Sequence, residues 1–111
     1  MPGPYTKELL AYVPPQLRSN ALEILDIARF EAQIAGASPA ARRLIEPYIL
    51  ARWLGSQIRQ GHFASSEAES LCITVADRCI SDLHELDCAK RAQEIVAHLE
   101  QVGQLEQVSW K

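Results

Sequence analysis

Cysteine is scarce in this chain, and the few cysteines do not suit a disulfide framework. There are three among 111 residues, an odd number that leaves at least one unpaired. Cys72 and Cys79 are seven residues apart. On one helix this spacing separates their Cα atoms by roughly 10 Å, more than the ~7 Å that a disulfide spans. It also differs from the close pairs of zinc sites. We therefore predict free thiols that fill a core in a reducing cytosol, with no metal or other cofactor.

Long apolar runs and an excess of positive charge are also missing. No apolar run comes near the ~18 residues of a membrane span, and the first eight residues contain no signal-peptide-like apolar segment. The net charge of −3 argues against a general binder of nucleic acids or anionic membranes. These features predict a cytoplasmic protein without a membrane partner. Residues 39–60 nevertheless hold four arginines and one glutamate, a net +3, whereas residues 66–102 hold eight acids and three bases, a net −5.

Proline, glycine and serine divide the chain into helix-forming segments. The predicted helices span about residues 16–35, 39–60, 66–86 and 88–102. This pattern predicts an all-α, small four-helix bundle-like domain over residues 1–111, with the last two helices forming an antiparallel hairpin. A short helical turn over residues 5–12 is compatible with the sequence as well. The sequence leaves open whether the ends, residues 1–13 and 104–111, are mobile or docked.

The predicted boundaries depend on residues that suit helix ends. Ser38 is suited to the N-cap of the second helix, with Pro39 at its first position. Ser66 and Glu69 match a capping box at the start of the third helix. Asp87 is expected to cap the start of the fourth. Glycine supplies the left-handed residue that stops a helix, and the predicted stops are Gly36, Gly61 and Gly103.

Two predicted helices have more apolar surface than one buried stripe needs. On the first, Ile27, Phe30 and Ile34 are neighbours on the side away from an alanine-rich stripe. The second is apolar nearly all round and includes Trp53. Pro47 is predicted to kink it, the alternative being a split into a short 39–45 turn and a 47–60 helix. Either the second helix covers the isoleucine–phenylalanine trio inside the fold, or part of this surface binds another chain. That chain is a different protein or a second copy in a homodimer.

Arginine and tryptophan side chains supply further candidate contacts. Arg52 and Arg59 are seven residues apart and share a face of the second helix. A solvated face, ion pairs with acids of the third helix, and a contact with an acidic partner or a phosphate are all compatible with them. Trp110 either docks onto the bundle or anchors an extended segment in a partner. The predicted partner-binding residues are Ile27, Phe30, Ile34, Arg52, Trp53, Arg59 and Trp110.

Residues 50–61 resemble the first helix and turn of a helix-turn-helix motif. The similarity is carried by residues 50–56, Leu-Ala-Arg-Trp-Leu-Gly-Ser. One residue is missing between Gly55 and Ser56, and a recognition helix would meet Gly61 after five residues, too soon to place several side chains in the major groove. The resemblance implies a nucleic-acid-binding regulator as the alternative function. The negative net charge lacks the phosphate-binding contribution that dominates DNA affinity, so nucleic acid is a disfavoured partner.

The sequence contains no recognisable catalytic arrangement. Asp77 and Asp82 do not share a helix face, and Glu31 is a single carboxylate at the edge of a stripe. We therefore predict a small cytosolic, non-enzymatic protein-binding module, an adaptor, regulator, inhibitor or assembly factor. It is expected to act through the apolar and arginine surface of its first two long helices.

Overall fold

The computed structural model describes residues 5–101, and these residues form an all-helical domain. Within this range there are five α-helices: α1 (Thr6–Ala11), α2 (Arg18–Ile34), α3 (Pro39–Arg59), α4 (Ser66–Glu85) and α5 (Ala89–Gln101). A 3-10 turn at Pro15–Leu17 leads into α2, and residues 5–101 contain no β-strand. Across this described range, no helix has both the length and the apolar character needed to cross a lipid bilayer. The predicted all-α, bundle-like architecture is confirmed, and the four predicted long helices correspond to α2–α5.

Helix α3 is central to the domain because its side chains are apolar nearly all round. It packs against α2 and α4 and also contacts α1 and α5. Ile45, Ile49, Leu50 and Leu54 are completely buried along its length, as expected of a helix that is apolar on most of its sides. The helix continues through Pro47, which is itself buried. The proline therefore does not divide the segment into two helices.

The helix-turn-helix prediction for residues 50–61 is wrong. Residues 50–59 belong to one continuous helix, and Gly55 and Ser56, which would form the turn, are buried within it. The Ser56 hydroxyl donates to the carbonyl of Trp53 at 2.8 Å, an interaction inside the helix. Burial of apolar side chains on every side of α3 stabilises the helix across this point, so the local turn-like sequence has no effect.

Helices α2 and α3 end in the same hydrogen-bonded motif. After α2, the Gly36 N–H donates to the carbonyl of Gln33 at 3.0 Å, and the next N–H reaches one residue further back at 3.1 Å. This pair of bonds defines the Schellman motif, which needs a left-handed residue. Gly36 and Gly61 supply it, with φ of +72° and +82°. The predicted stops at both glycines are confirmed, and the predicted stop at Gly103 lies outside the described residues.

Asp87 ends α4 and does not cap α5, which corrects the prediction. Its φ is +59°, and its N–H donates to the carbonyl of His84 at 3.1 Å. The Cys88 N–H donates to the carbonyl of Leu83 at 2.8 Å, which completes another Schellman motif. The connection between α4 and α5 contains no glycine, so the left-handed position falls to aspartate, one of the few other residues that tolerate it.

Serine side chains cap α3 and α4, although the second cap differs from the prediction. The Ser38 hydroxyl accepts the N–H of the residue three positions later at 3.2 Å, which confirms the predicted N-cap of α3. Ser65, not Ser66, caps α4, and its hydroxyl accepts the Ala68 N–H at 3.1 Å. An N-cap residue has an extended backbone. That conformation falls at Ser65, where φ is −163°, so the capping box predicted around Ser66 is wrong.

Residues 5–13 pack onto the helical core. Leu9 is completely buried and Val13 is 6% exposed, and α1 contacts both α3 and α4. Thr6, the first residue of α1, is also fully buried. This end of the chain is thus docked within the described residues, whereas residues 104–111 lie outside them.

Candidate functional site

The most exposed large apolar side chains of residues 5–101 lie on α2. Phe30 is 62% exposed and Ile34 is 66% exposed. Helix α2 buries its alanine-rich side against the domain, and these two side chains project from the opposite side, about one turn apart. Leu22, two turns nearer the N-terminus, is 48% exposed. We call Phe30 and Ile34 the apolar ridge.

A groove of about 300 Å³ lies between α2 and α5 beside the apolar ridge. Ile34 contributes to its wall. Arg91, near the start of α5, donates to the backbone carbonyl of Ala35 just after α2. His98, near the end of α5, lies beside Glu31, with 3.3 Å between Nε2 and Oε1. These two contacts show that α2 and α5 run antiparallel, and we call the depression between them the α2–α5 groove.

The α2–α5 groove carries charges of both signs. Glu31 and Glu94 supply carboxylates, Arg91 supplies a guanidinium, and His98 adds a positive charge when it is protonated. The side chains of His98 and Glu31 are 50% and 26% exposed. An ion pair this accessible to water contributes at most about 1 kcal/mol to stability. The groove is therefore a polar border with nearly balanced charge along the apolar ridge.

A second groove, of about 310 Å³, is formed by α3, α4 and α5 and contains Arg52. The Arg52 guanidinium donates to the Tyr48 hydroxyl at 3.4 Å, and its Cζ lies 5.9 Å from the Tyr48 ring centroid, within cation–π range. Burial raises the pKa of Tyr48, and the positive charge of Arg52 partly opposes this effect. Ile73 and Asp77 of α4 and Gln93 of α5 also line this second groove.

The predicted partner-binding residues do not form one surface. The two grooves share no lining residue. Gln93 lines the second groove and Ile95 lines the α2–α5 groove, and the two residues are about 160° apart on the wheel of α5. Arg59 is exposed in the last turn of α3 and lines neither groove. Ile27 is half-buried and packs against the core. Phe30 and Ile34 thus remain together, whereas Arg52 faces a different groove.

Of the two tryptophans predicted as aromatic anchors, Trp53 is not part of this surface. Trp53 is 3% exposed and belongs to the core. Residues 47–51 and 53–56 of α3 are all buried, so its largest aromatic side chain is used for packing and is not available to a partner. Trp110 lies outside the described residues.

The cysteines take the core positions that their helical spacing predicts. Cys72 and Cys79 are completely buried, Cys88 is half-buried, and all three are free thiols. Burial raises the pKa of both Cys72 and Cys79 to about 12, and the negative charges of Glu69 and Asp82 add to the effect at Cys72 and Cys79, respectively. These two thiols are therefore protonated, and weakly nucleophilic, near neutral pH. Among the residues that the structure describes, no three or more His, Cys, Asp or Glu side chains form a group that could hold a metal ion.

Sequence reasoning identified the apolar ridge but missed the α5 side of the groove. Arg91, Glu94 and His98 lie on one strip of α5 beside Ile95, within about 100° of arc. A helical wheel of residues 89–101 finds this strip. It does not reveal that the strip faces α2, because the pairing of helices that are distant in sequence depends on tertiary packing.

No protein-family model matches the chain, and no curated protein or solved structure shows significant similarity to it.

Proposed function

We propose that this protein is a small cytosolic, non-enzymatic protein-binding module that acts as an adaptor, regulator, inhibitor or assembly factor. Its contact surface is centred on the apolar ridge, with the α2–α5 groove as the polar border. The observation that carries the proposal is the exposure of Phe30 and Ile34 by 62% and 66%, side by side on one helix face. Protein interfaces typically combine an apolar, often aromatic, centre with a polar rim.

The proposed surface differs from the one expected from sequence. It consists of α2 and α5 and not of α2 and α3, because the outward part of α2 is bordered by Glu31, His98 and Arg91. Arg52 and the buried Trp53 are excluded from it. Burial makes Cys72 and Cys79 unsuited to nucleophilic catalysis, since pKa values of about 12 keep both thiols protonated.

A nucleic-acid-binding role has less support. The turn that a helix-turn-helix motif requires is absent from residues 50–59, which lie in one helix. The apolar ridge is bordered by carboxylates as well as basic groups, and the net charge is −3. Neither feature supplies the cluster of positive charge on which phosphate binding depends.

Site-specific photo-crosslinking tests the proposed function. A photoreactive phenylalanine analogue at position 30 is expected to crosslink to protein in the source cells, because Phe30 is at the centre of the surface. The same analogue at position 86 is the matched control, since Leu86 is 43% exposed at the C-cap of α4. Phe30 and Leu86 are both exposed, so neither change disturbs the core.

The pattern of crosslinks decides the outcome. Protein adducts that form from position 30, and that disappear when Ile34 is changed to Glu in the same chain, support the proposal. Equal yields from positions 30 and 86 would show only random encounters. The absence of any protein adduct from position 30 would contradict the proposed surface.

A further inference from the structure

We propose that α5 is a lid, a helix that opens from the domain as one unit while α2, α3 and α4 remain packed together. The hinge is the connection between α4 and α5, residues 86–88, since a few residues at the end of an element are enough to absorb such a rotation. Opening of α5 does not require the proposed protein-binding function, because it depends only on how the helix is held.

Helix α5 rests on the domain through a narrow apolar stripe. Its buried side chains fall within about 120° of the helical wheel, and two of the five are alanines; they are Ala89, Ala92, Ile95, Val96 and Leu99. The packing of α5 is divided among α2, α3 and α4, and with each of them it is less extensive than the packing of α3 against α4 or against α2. The α2–α3 and α3–α4 pairs therefore retain their main contacts when α5 leaves.

A groove runs along each side of α5. The α2–α5 groove borders the helix at Ile95 and His98, and the groove formed by α3, α4 and α5 borders it at Gln93. Gln93 and Ile95 are about 160° apart on the helical wheel, so the two grooves lie on opposite sides of the helix. Their volumes are about 300 and 310 Å³, many times the ~30 Å³ share of one water molecule. Water therefore reaches both flanks of the apolar stripe, and neighbouring side chains hold those flanks only in part.

Two polar contacts join α5 to α2, and both are exposed to water. Arg91, itself exposed, donates to the carbonyl of Ala35. The side chains of His98 and Glu31 are 50% and 26% exposed. Water replaces partners of this kind at little cost when the contact breaks. These contacts therefore orient α5 more than they hold it closed.

Opening exposes the apolar stripe of α5 and the surface that the stripe covers. An isolated helix of 13 residues is marginally stable in water, so α5 loses its helical hydrogen bonds when it leaves the domain. Its amides then exchange with solvent through one shared event. The open state lacks the α5 walls of both grooves, so these grooves exist only while the lid is closed.

Hydrogen exchange of the full chain tests the proposal, measured residue by residue by NMR at urea concentrations below the unfolding transition. The amides of residues 93–100 in α5 are expected to be at least tenfold less protected than those of residues 49–56 in α3. They are also expected to share one dependence on urea. This dependence is smaller than that of global unfolding, because an open lid exposes only part of the buried surface.

Two matched substitutions separate opening of the lid from global unfolding. Val96 in α5 is 5% exposed, and Val13, which follows α1, is 6% exposed; α1 packs on α3 and α4. Val13→Ala weakens the part that stays folded in the open state. It is therefore expected to lower the protection of residues 49–56 about tenfold and to leave that of residues 93–100 unchanged. Val96→Ala removes a contact that both the open and the unfolded states lack, so it is expected to lower both about tenfold.

Two results would overturn the lid. One is equal protection of residues 93–100 and 49–56, lowered alike by Val13→Ala, since α5 then opens only when the whole domain unfolds. The other is protection that falls gradually along α5 without any dependence on urea, since the helix then frays residue by residue. Circular dichroism verifies that both variants remain helical.

Discussion

Thr6 combines complete burial with a hydroxyl that has no hydrogen-bond partner among the described residues. Leaving a buried hydroxyl without a partner costs about 1–3 kcal/mol relative to its hydration in the unfolded chain. Thr6→Val removes the hydroxyl and keeps the shape of the side chain. We expect this variant to raise the free energy of unfolding by roughly 1 kcal/mol, measured by urea denaturation.

Thr6→Ser provides the matched control. It keeps the unpartnered hydroxyl and removes a buried methyl group, so it is expected to lower the free energy of unfolding by about 1 kcal/mol. Opposite signs for the two variants support this account of Thr6. If Thr6→Val is the more destabilising of the two, the hydroxyl contributes a stabilising interaction instead.

The two buried thiols also predict how stability depends on pH. The pKa of Cys72 and Cys79 is raised from 9.0 to about 12 in the folded chain, so the unfolded chain loses these protons first as the pH rises. The contribution of each protonated thiol to the free energy of unfolding is fully present below pH 9 and is lost as the pH rises towards 12. The slope is about 1.4 kcal/mol per pH unit for each thiol. A Cys72→Ala/Cys79→Ala variant is therefore expected to show a shallower decline in unfolding free energy from pH 9 to 11.

Urea titrations at several pH values between 7 and 11 measure this effect. Alanine leaves a small cavity, so the double variant is expected to be less stable than the wild type at pH 7. The decisive comparison is the slope above pH 9. Parallel curves for the two proteins would refute ionisation of these thiols as a cause of alkaline destabilisation.

At the scale of the elements, three helices depend on one left-handed residue each. Gly36 has a φ of +72°, and a Cβ added there meets no atom within 4 Å. The added methyl group of Gly36→Ala therefore meets no steric clash, and the substitution is unfavourable because the backbone is left-handed. We expect it to lower the free energy of unfolding by about 1 kcal/mol.

Asp87 occupies the same kind of position with a φ of +59°. Asp87→Gly relieves the strain of a side chain there and is expected to raise the free energy of unfolding by roughly 0.5–1 kcal/mol.

Thermal denaturation monitored by circular dichroism measures both changes. Ala35→Gly, at the C-cap just before Gly36, is a control that places glycine where the backbone is right-handed, with a φ of −71°. It is expected to be destabilising, in contrast to Asp87→Gly. If glycine is destabilising at both positions, the left-handed conformation of Asp87 is not under strain.

At the scale of the whole molecule, aromatic residues in the core and on the ridge should behave in opposite ways. Trp53 is 3% exposed on the central helix, so Trp53→Ala is expected to lower the free energy of unfolding by about 3–5 kcal/mol. Phe30 is 62% exposed, and Phe30→Ala should change the free energy of unfolding of a monomer by no more than about 0.5 kcal/mol. Both are measured by urea denaturation at a low protein concentration, where a dimer is dissociated. A large loss for Phe30→Ala would place its ring in the core and not on a binding surface.

Much of this architecture could be predicted from local sequence. The four long helices follow from apolar spacing and from helix ends, and the stops at Gly36 and Gly61 are chemically specific because a left-handed residue favours glycine. Where two residues compete for one role, local reasoning is weaker. Ser65 and Ser66 can both cap a helix, and Asp87 suits a helix start as well as a left-handed stop. The tertiary fold decides which serine caps the helix and whether Asp87 starts or stops one, because the packing of the helices fixes where each helix begins and ends.

The sequence by itself determined the helical composition, the buried thiols and the surplus apolar character of residues 27–34, because these properties depend on residue type and on the 3.6-residue period. Only the tertiary structure decided which apolar side chains remain outside. It placed Trp53 in the core beside the middle of α3 and left Phe30 and Ile34 exposed. It also paired α2 with α5, which set His98 and Arg91 beside the ridge. Helix pairing depends on how all the apolar faces are covered together, and no single segment contains that information.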